Sequence, residues 1–440
     1  MVGRFTKNTL ITIATQGLIF VFGMGISVII ARILGPEKKG IYSLVILLPA
    51  FLVYFTNFGI GQATVFYLGK KKYPPKEIFG NNIIYTAIIT IFAILTGLII
   101  IFFFSNKLLP GVATKYLLLS LFLVPGQLFL GFILLILLGF QEIKKYNFIL
   151  FFRVFLLFIL AGIFLWVFHL GIKAAIVTEF LAVIIVCIVL FFMTKKQTNG
   201  ISLRPNKNYF KDSFSYGIKF YLGSILYFLQ SRIVMPLINV FLNPAMVGFY
   251  SLSIGISEKV WLISDAAGTV LFPKVSSGKD IKQLKEFTPL VFRSTLIIVI
   301  LIAIILFASA HWLIILLYSN AYSQSIRPFQ ILLIGIVALS GFRILENDLK
   351  GRGKPILNTY VIALSLVLNI ILNVVWIPKF GISGASWAAT TSYTLALFIS
   401  LIIYCKISGN RIKDVIFIKK IDLKLYYNIF ITFKGRLKLK

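Results

Sequence analysis

Acid is what this chain most lacks. Thirteen Asp and Glu face 44 Lys and Arg in 440 residues, a net charge of +31. Only 13% of residues are charged at all, against about 25% in a soluble domain. Histidine and cysteine are equally scarce, two of each. No metal cluster emerges from so few ligands, and Cys187 and Cys405 allow at most one disulfide, which argues against redox chemistry and structural zinc. The short loops hold no glycine motif of the kind that cradles nucleotide phosphates. No small-residue cleavage site follows the first apolar run, so Arg4 and Lys7 precede a first membrane span rather than a signal peptide.

Hydrophobicity fills the space that charge leaves. Apolar residues make up 59% of the chain, and the mean hydropathy is +0.97. Runs of about 20 apolar residues each suffice to cross a bilayer. They fall near 10–31, 41–68, 82–104, 116–139, 147–168, 174–193, 213–240, 246–272, 288–309, 328–349, 356–377 and 382–404. These twelve spans predict an all-α polytopic membrane protein. In a soluble protein the basic excess would suggest nucleic acid. Here the charges sit in the breaks between spans, so the positive-inside rule explains them and no nucleic-acid partner is implied. With the N-terminus inside, the inner segments carry 30 of the 44 Lys and Arg and the outer loops 8. That places both termini in the cytoplasm and the chain in the cytoplasmic membrane.

One polar break is written twice. "ARILGPEKKGIYSL" at 31–44 returns as "NVFLNPAMVGFYSL" at 239–252, so Leu34, Pro36, Gly40, Tyr42, Ser43 and Leu44 recur as Leu242, Pro244, Gly248, Tyr250, Ser251 and Leu252. A second echo pairs "LGIKAAIV" at 170–177 with "FGISGASW" at 380–387. The offsets, 208 and 210 residues, nearly agree, and each repeat holds six helices. Two lobes with the same orientation, related by a pseudo-two-fold along the membrane normal, are therefore expected. The lobes would be 1–193 and 213–404, joined by a basic linker at 194–212 and followed by a basic cytoplasmic tail at 405–440. The tail is too charged to span and reads either as an interfacial amphipathic segment or as a disordered basic extension. The hinge reads as scaffold, a tight hairpin opening each lobe, with Arg32 as an interfacial anchor.

Charged groups inside spans are costly and usually face a partner or an aqueous cavity. Arg153, Lys219, Arg232, Lys259, Arg293 and Arg343 outnumber Glu179, Glu258, Asp265 and Glu346. Such a positive balance suits a cavity that receives a phosphate headgroup. Lys219 and Gln230, eleven residues apart, share one face of span 7; Lys219 either receives a headgroup or snorkels to the interface. Arg153 would grip phosphate bidentately from the other lobe, and Gln16, Asn57 and Gln62 add polar groups in spans 1 and 2. Glu258 and Asp265, seven apart, share a face of span 8. Glu258 pairs with Arg232 or Lys219, or else Glu258, Asp265 or Glu179 carries a coupling ion, H+ or Na+. Arg343 and Glu346 are spaced as a local ion pair, while Arg293, His169 and His311 read as interfacial.

Two longer stretches carry a resemblance. "FYLGSILYFLQSRIVMPLINVFLNPAMVGFYSLSIGISEKVWLISDAAGTVLFPKVSS" and "LNIILNVVWIPKFGISGASWAATTSYTLAL" resemble the polysaccharide and lipid-linked oligosaccharide flippases. These belong to the multidrug, oligosaccharidyl-lipid and polysaccharide (MOP) exporter superfamily. The likeness covers residues 1–405 and implies a MATE-like, V-shaped bundle. It also implies a non-enzymatic function: moving a polyprenyl-diphosphate-linked glycan to the outer leaflet, with membrane lipids and other polysaccharide-assembly membrane proteins as partners. This chain departs from the pattern where many relatives place an acid two residues after the span-7 arginine, since Val234 stands there. The span-11 pair is Asn369 and Asn373, so a sodium site of the kind seen in similar lipid-linked-precursor flippases would lack its carboxylates. A cation-coupled small-molecule exporter is the rival reading, and it would favour an acidic cavity. A glycan polymerase is a third, and it would need a larger outer loop.

Overall fold

The computed structural model describes residues 2–278, 281–419 and 422, without the side chains of 2–10, 220 and 281–283. Nine helices among these residues are long and apolar enough to cross a membrane. Two are far longer than one crossing needs. Ile11–Thr56 has 46 residues and Pro355–Ser408 has 54, roughly 70 and 80 Å of helix against a ~30 Å hydrocarbon core. Each is broken by a glycine in the left-handed region, Gly35 at φ 72° and Gly381 at φ 61°, where a side chain would be strained. Each therefore supplies two spans. Pro244–Ser277 supplies the twelfth; a 3₁₀ turn at Glu258–Trp261 interrupts it.

In chain order the spans are α1 (2–34), α2 (36–69), α3 (75–108), α4 (114–139), α5 (143–167), α6 (171–197), α7 (207–241), α8 (244–277), α9 (281–318), α10 (326–351), α11 (355–380) and α12 (382–408). Pro75 and Pro355 begin α3 and α11 in the first turn, where a missing N–H costs nothing.

The surface is apolar and much of the polar chemistry lies inside. Ile88, Ile91, Phe92, Leu95, Phe102 and Phe103 are all exposed on α3 and its end. Asn82 on the same helix is fully buried. That inversion is what a lipid solvent demands, because polar groups must find partners within the protein.

The chain packs as two units. The first comprises 1–252, 314–325 and 377–382. One of its cores joins Ile29, Ile30 and Leu34 of α1 to Ala161 and Leu165 of the α5 end and to Ala174 and Ala175 of α6. The second comprises 253–313, 326–376 and 383–440. Its core gathers Leu271 and Val275 of α8, Phe292 of α9, Ile344 and Leu345 of α10, and Leu401 and Tyr404 of α12. Val415, on a short helix Ile412–Ile416, packs into the same core, so the start of the basic tail is folded onto this unit. Residues 420, 421 and 423–440 of that tail lie outside the described residues.

Candidate functional site

Within the first unit, the two copies of the repeated hinge meet. A Cβ on Gly40 would lie 1.7 Å from the Pro244 carbonyl oxygen, and one on Gly248 would lie 1.9 Å from that of Pro36. Each glycine thus rests on the other copy's proline carbonyl, an approach that no side chain permits. The contact is reciprocal, as a pseudo-two-fold requires. Ser43 and Ser251, equivalent in the repeat, are hydrogen-bonded to each other at 3.3 Å. Lys39 donates to Ser251 Oγ at 2.9 Å. Arg32 serves as more than an anchor: it donates to the Leu316 and Leu317 carbonyls at the C-terminus of α9, where a cation is favoured.

Within the hinge itself, Tyr42 donates to Glu179 Oε1 at 3.0 Å. Arg153 is half-buried within electrostatic reach of the same phenol, and its Nε is buried without a hydrogen-bond partner. Two of the expected site residues, Arg153 on α5 and Glu179 on α6, are therefore gathered around Tyr42 of α2. Glu179 is half-buried.

The remaining first-unit candidates are dispersed. Gln16, Gln62 and Lys219 are exposed, Arg232 is half-buried and Gln230 is buried. Asn57 is used locally: its Oδ1 accepts from the Gly59 N–H at 2.9 Å and shapes the break inside α2.

Where α2, α3 and α7 come together, neutral groups satisfy one another. Tyr209 donates to Asn82 Oδ1 at 3.1 Å, and Asn82 Nδ2 donates to Thr64 Oγ1 at 2.9 Å. At the rim, Asp212 accepts from Tyr73 at 2.6 Å and from Lys72 at 2.5 Å. Those two hydrogen bonds hold its carboxyl below the ordinary 3.8. A basic groove of about 630 Å³ opens nearby, lined by Lys76, Arg204, Lys207 and Glu77.

The second unit departs from the sequence expectations at three places. Glu258 and Asp265 are not aligned as an unbroken α-helix would place them, because the 3₁₀ turn at Glu258–Trp261 adds about 20° of rotation per residue. Glu258 is 9% exposed, while the Asp265 side chain is 43% exposed. Arg343 and Glu346 do not pair with each other: Arg343 binds Asp265 and lies 4.1 Å from the Trp261 ring centroid, while Glu346 takes Lys350 at 2.6 Å. Arg293 is not interfacial. It is 4% exposed and grips Asp422 with two hydrogen bonds of 2.7 and 2.9 Å. Burial alone would raise the Asp422 carboxyl, but the bonds from Arg293 and the Lys419 amide outweigh it and the pKa falls.

Lys259 is half-buried. Asn369 and Asn373 of α11 are fully buried, Asn369 donating to Ser392 of α12 at 2.9 Å and Asn373 to Asn369 Oδ1 at 3.0 Å. They act as packing polar groups between two helices.

Sequence reasoning missed Lys39, Tyr42 and the Asp212 cluster. For Lys39 a signal did exist: the position 208 residues later is Val247, so the repeat breaks its own pattern there.

Comparison with known proteins follows the same lines. Residues 29–327 match the polysaccharide biosynthesis protein family. A probable low-salt glycan biosynthesis flippase of Haloferax volcanii, Agl15, is 26% identical over 207 residues, 44% of this chain and 43% of that one. The chain spans less than half the length of two curated relatives it matches, 45% and 43%. Among solved structures, the lipid II flippase MurJ in an inward closed conformation superposes with a TM-score of 0.75 at 17% identity, covering 96% of this chain and 92% of that one. An inward-facing multidrug resistance MATE family transporter of the MOP superfamily gives 0.73 at 14% identity, covering 91% and 98%. At such identities these likenesses speak for the fold, a two-lobe arrangement of twelve helices. The match over 29–327 covers more than half of the sequence, and the chain belongs to the polysaccharide biosynthesis protein family.

Proposed function

We propose that this protein is a flippase that carries a polyprenyl-diphosphate-linked oligosaccharide from the inner to the outer leaflet of the cytoplasmic membrane by alternating access. The observation that carries the reading is Arg153. It is a membrane-embedded guanidinium, half-buried, with its Nε buried and unpartnered. An arginine held in that state is ready to receive an anion, and phosphate matches its fork. Lys219, exposed on α7, supplies a second cation for the same headgroup. The likeness to a glycan biosynthesis flippase and to a lipid II flippase supports the same substrate chemistry. In this reading the six-helix lobes 1–193 and 213–404 are the bodies that rock, with the linker 194–212 and both termini on the cytoplasmic side. Glu179, with its Tyr42 partner, and buried Glu258 are the carboxylates available for proton coupling.

The test is translocation in liposomes of a fluorescent polyprenyl-diphosphate oligosaccharide. Wild type flips it, Arg153→Ala loses at least ten-fold in rate and Lys219→Ala loses several-fold. Efflux of small organic cations without flipping of any lipid-linked glycan would replace this reading with the exporter.

A further inference from the structure

Lys39 is a buried residue of the hinge that the repeat does not account for. Its counterpart Val247 is fully buried, as a symmetric apolar contact would require. Lys39 is itself only 7% exposed. Among the described residues its ammonium has one hydrogen-bond partner, the Ser251 hydroxyl, and forms no ion pair with a carboxylate. A buried ammonium facing one neutral hydroxyl has lost most of its hydration and gained little in return. Packing alone would place valine here, as it does in the other copy. The lysine therefore weakens the closed contact, and it gains favourable interactions only once the contact has opened.

The rest of the contact is built to part without breaking a strong bond. It includes glycine against carbonyl, twice, and hydroxyl against hydroxyl. Separation would uncover the Lys39 ammonium together with the Ser43 and Ser251 hydroxyls, all within one small area.

We propose that Lys39, Ser43 and Ser251 form an anion site that exists only when the two hinges part, and that it takes the diphosphate of the transported lipid on the side of release. This rests on the flippase reading above and adds to it a second phosphate site, distinct from Arg153. Lysine suits the task as a point charge for phosphate, and a single cation with two hydroxyls binds loosely enough for release. Because Lys39 is buried in the closed contact, closure and anion binding exclude each other. An anion that binds only the open form must shift the population towards it.

The experiment reads hinge parting through a thiol at the valine counterpart. Val247→Cys, with Cys187→Ser and Cys405→Ser, is placed in liposomes, and its labelling rate with a membrane-impermeant maleimide is followed. Geranylgeranyl diphosphate is the probe and geranylgeraniol the neutral control. The diphosphate is expected to accelerate labelling at least three-fold, and the alcohol to leave it unchanged. Adding Lys39→Arg should keep the acceleration. Adding Lys39→Met should abolish it and slow the basal rate several-fold, because the closed contact then buries no charge. Equal acceleration in Lys39→Met overturns the proposal. So does the absence of acceleration in the parent while the same liposomes flip lipid-linked glycan, which leaves the flippase reading standing. Absence of both flipping and acceleration removes the two together.

Discussion

The two packing units treat their cations differently. In the second, Arg293 is clamped to Asp422, Arg352 to Asp348 and Arg343 to Asp265. Thr288 also donates to Asp348 at 2.6 Å. In the first, Lys39 faces a serine, Arg32 faces backbone carbonyls and Arg153 has a bare Nε. Among the described residues, scarce acid thus pairs with cations more often in the second unit than in the first. Arg293–Asp422 and Arg343–Asp265 tie separate segments together, and removing one partner of a buried pair strands the other in low dielectric. Cations without a carboxylate remain open to an incoming anion. The contrast separates struts from receivers in a chain whose composition shows only a basic excess.

Five single substitutions would break or sharpen that contrast. Arg293→Ala should have the largest effect. It leaves the fully buried Asp422 uncompensated at about 3–5 kcal/mol, visible as a large drop in thermal unfolding temperature in detergent, whereas Arg293→Leu combined with Asp422→Leu should recover most of it. If the single variant unfolds like wild type, the pair is no strut.

Next comes the hinge. Gly40→Ala forces a methyl onto the Pro244 carbonyl and should cost the contact about 1–3 kcal/mol; Gly248→Ala should do the same to an equal degree. Both raise maleimide labelling of a buried hinge thiol at least ten-fold, and an effect from only one of them would contradict the reciprocal geometry.

Asn82→Ala removes the acceptor of Tyr209 and a donor to Thr64, leaving those two hydroxyls each other and the Ile60 carbonyl, and should destabilise by about 1–3 kcal/mol, measured by the same unfolding assay.

The smallest effect is a pH dependence. The Asp212 carboxyl is held below 3.8 by Lys72 and Tyr73, so its contribution is complete above that value and is lost as pH falls through the lower folded pKa. The stability gap between wild type and Asp212→Asn should narrow with acidification below 3.8, and a gap that widens would reverse the sign of the argument.

Much of this was legible in the chain. The twelve spans followed from apolar runs, and the doubled hinge from six matching residues. Lys39 against Val247 was also visible, though only the buried contact gives the mismatch a meaning. Other features had no local signature. The Arg293–Asp422 pair joins residues 129 positions apart, and nothing around either one points to the other. The tail's basic character hid an acid that folds back into the core. The face predicted for Glu258 and Asp265 assumed an unbroken α-helix, which the 3₁₀ turn removes.

By itself the sequence determined the solvent, the number of crossings and the duplication. These depend on hydrophobicity summed over about 20 residues and on residue identity, which need no partner to be read. Only the tertiary structure decided which charges are paired, because a Coulomb partner is chosen by distance in space rather than along the chain. It also decided that the twice-written hinge touches itself, a contact set by two backbones close enough to exclude a single methyl group.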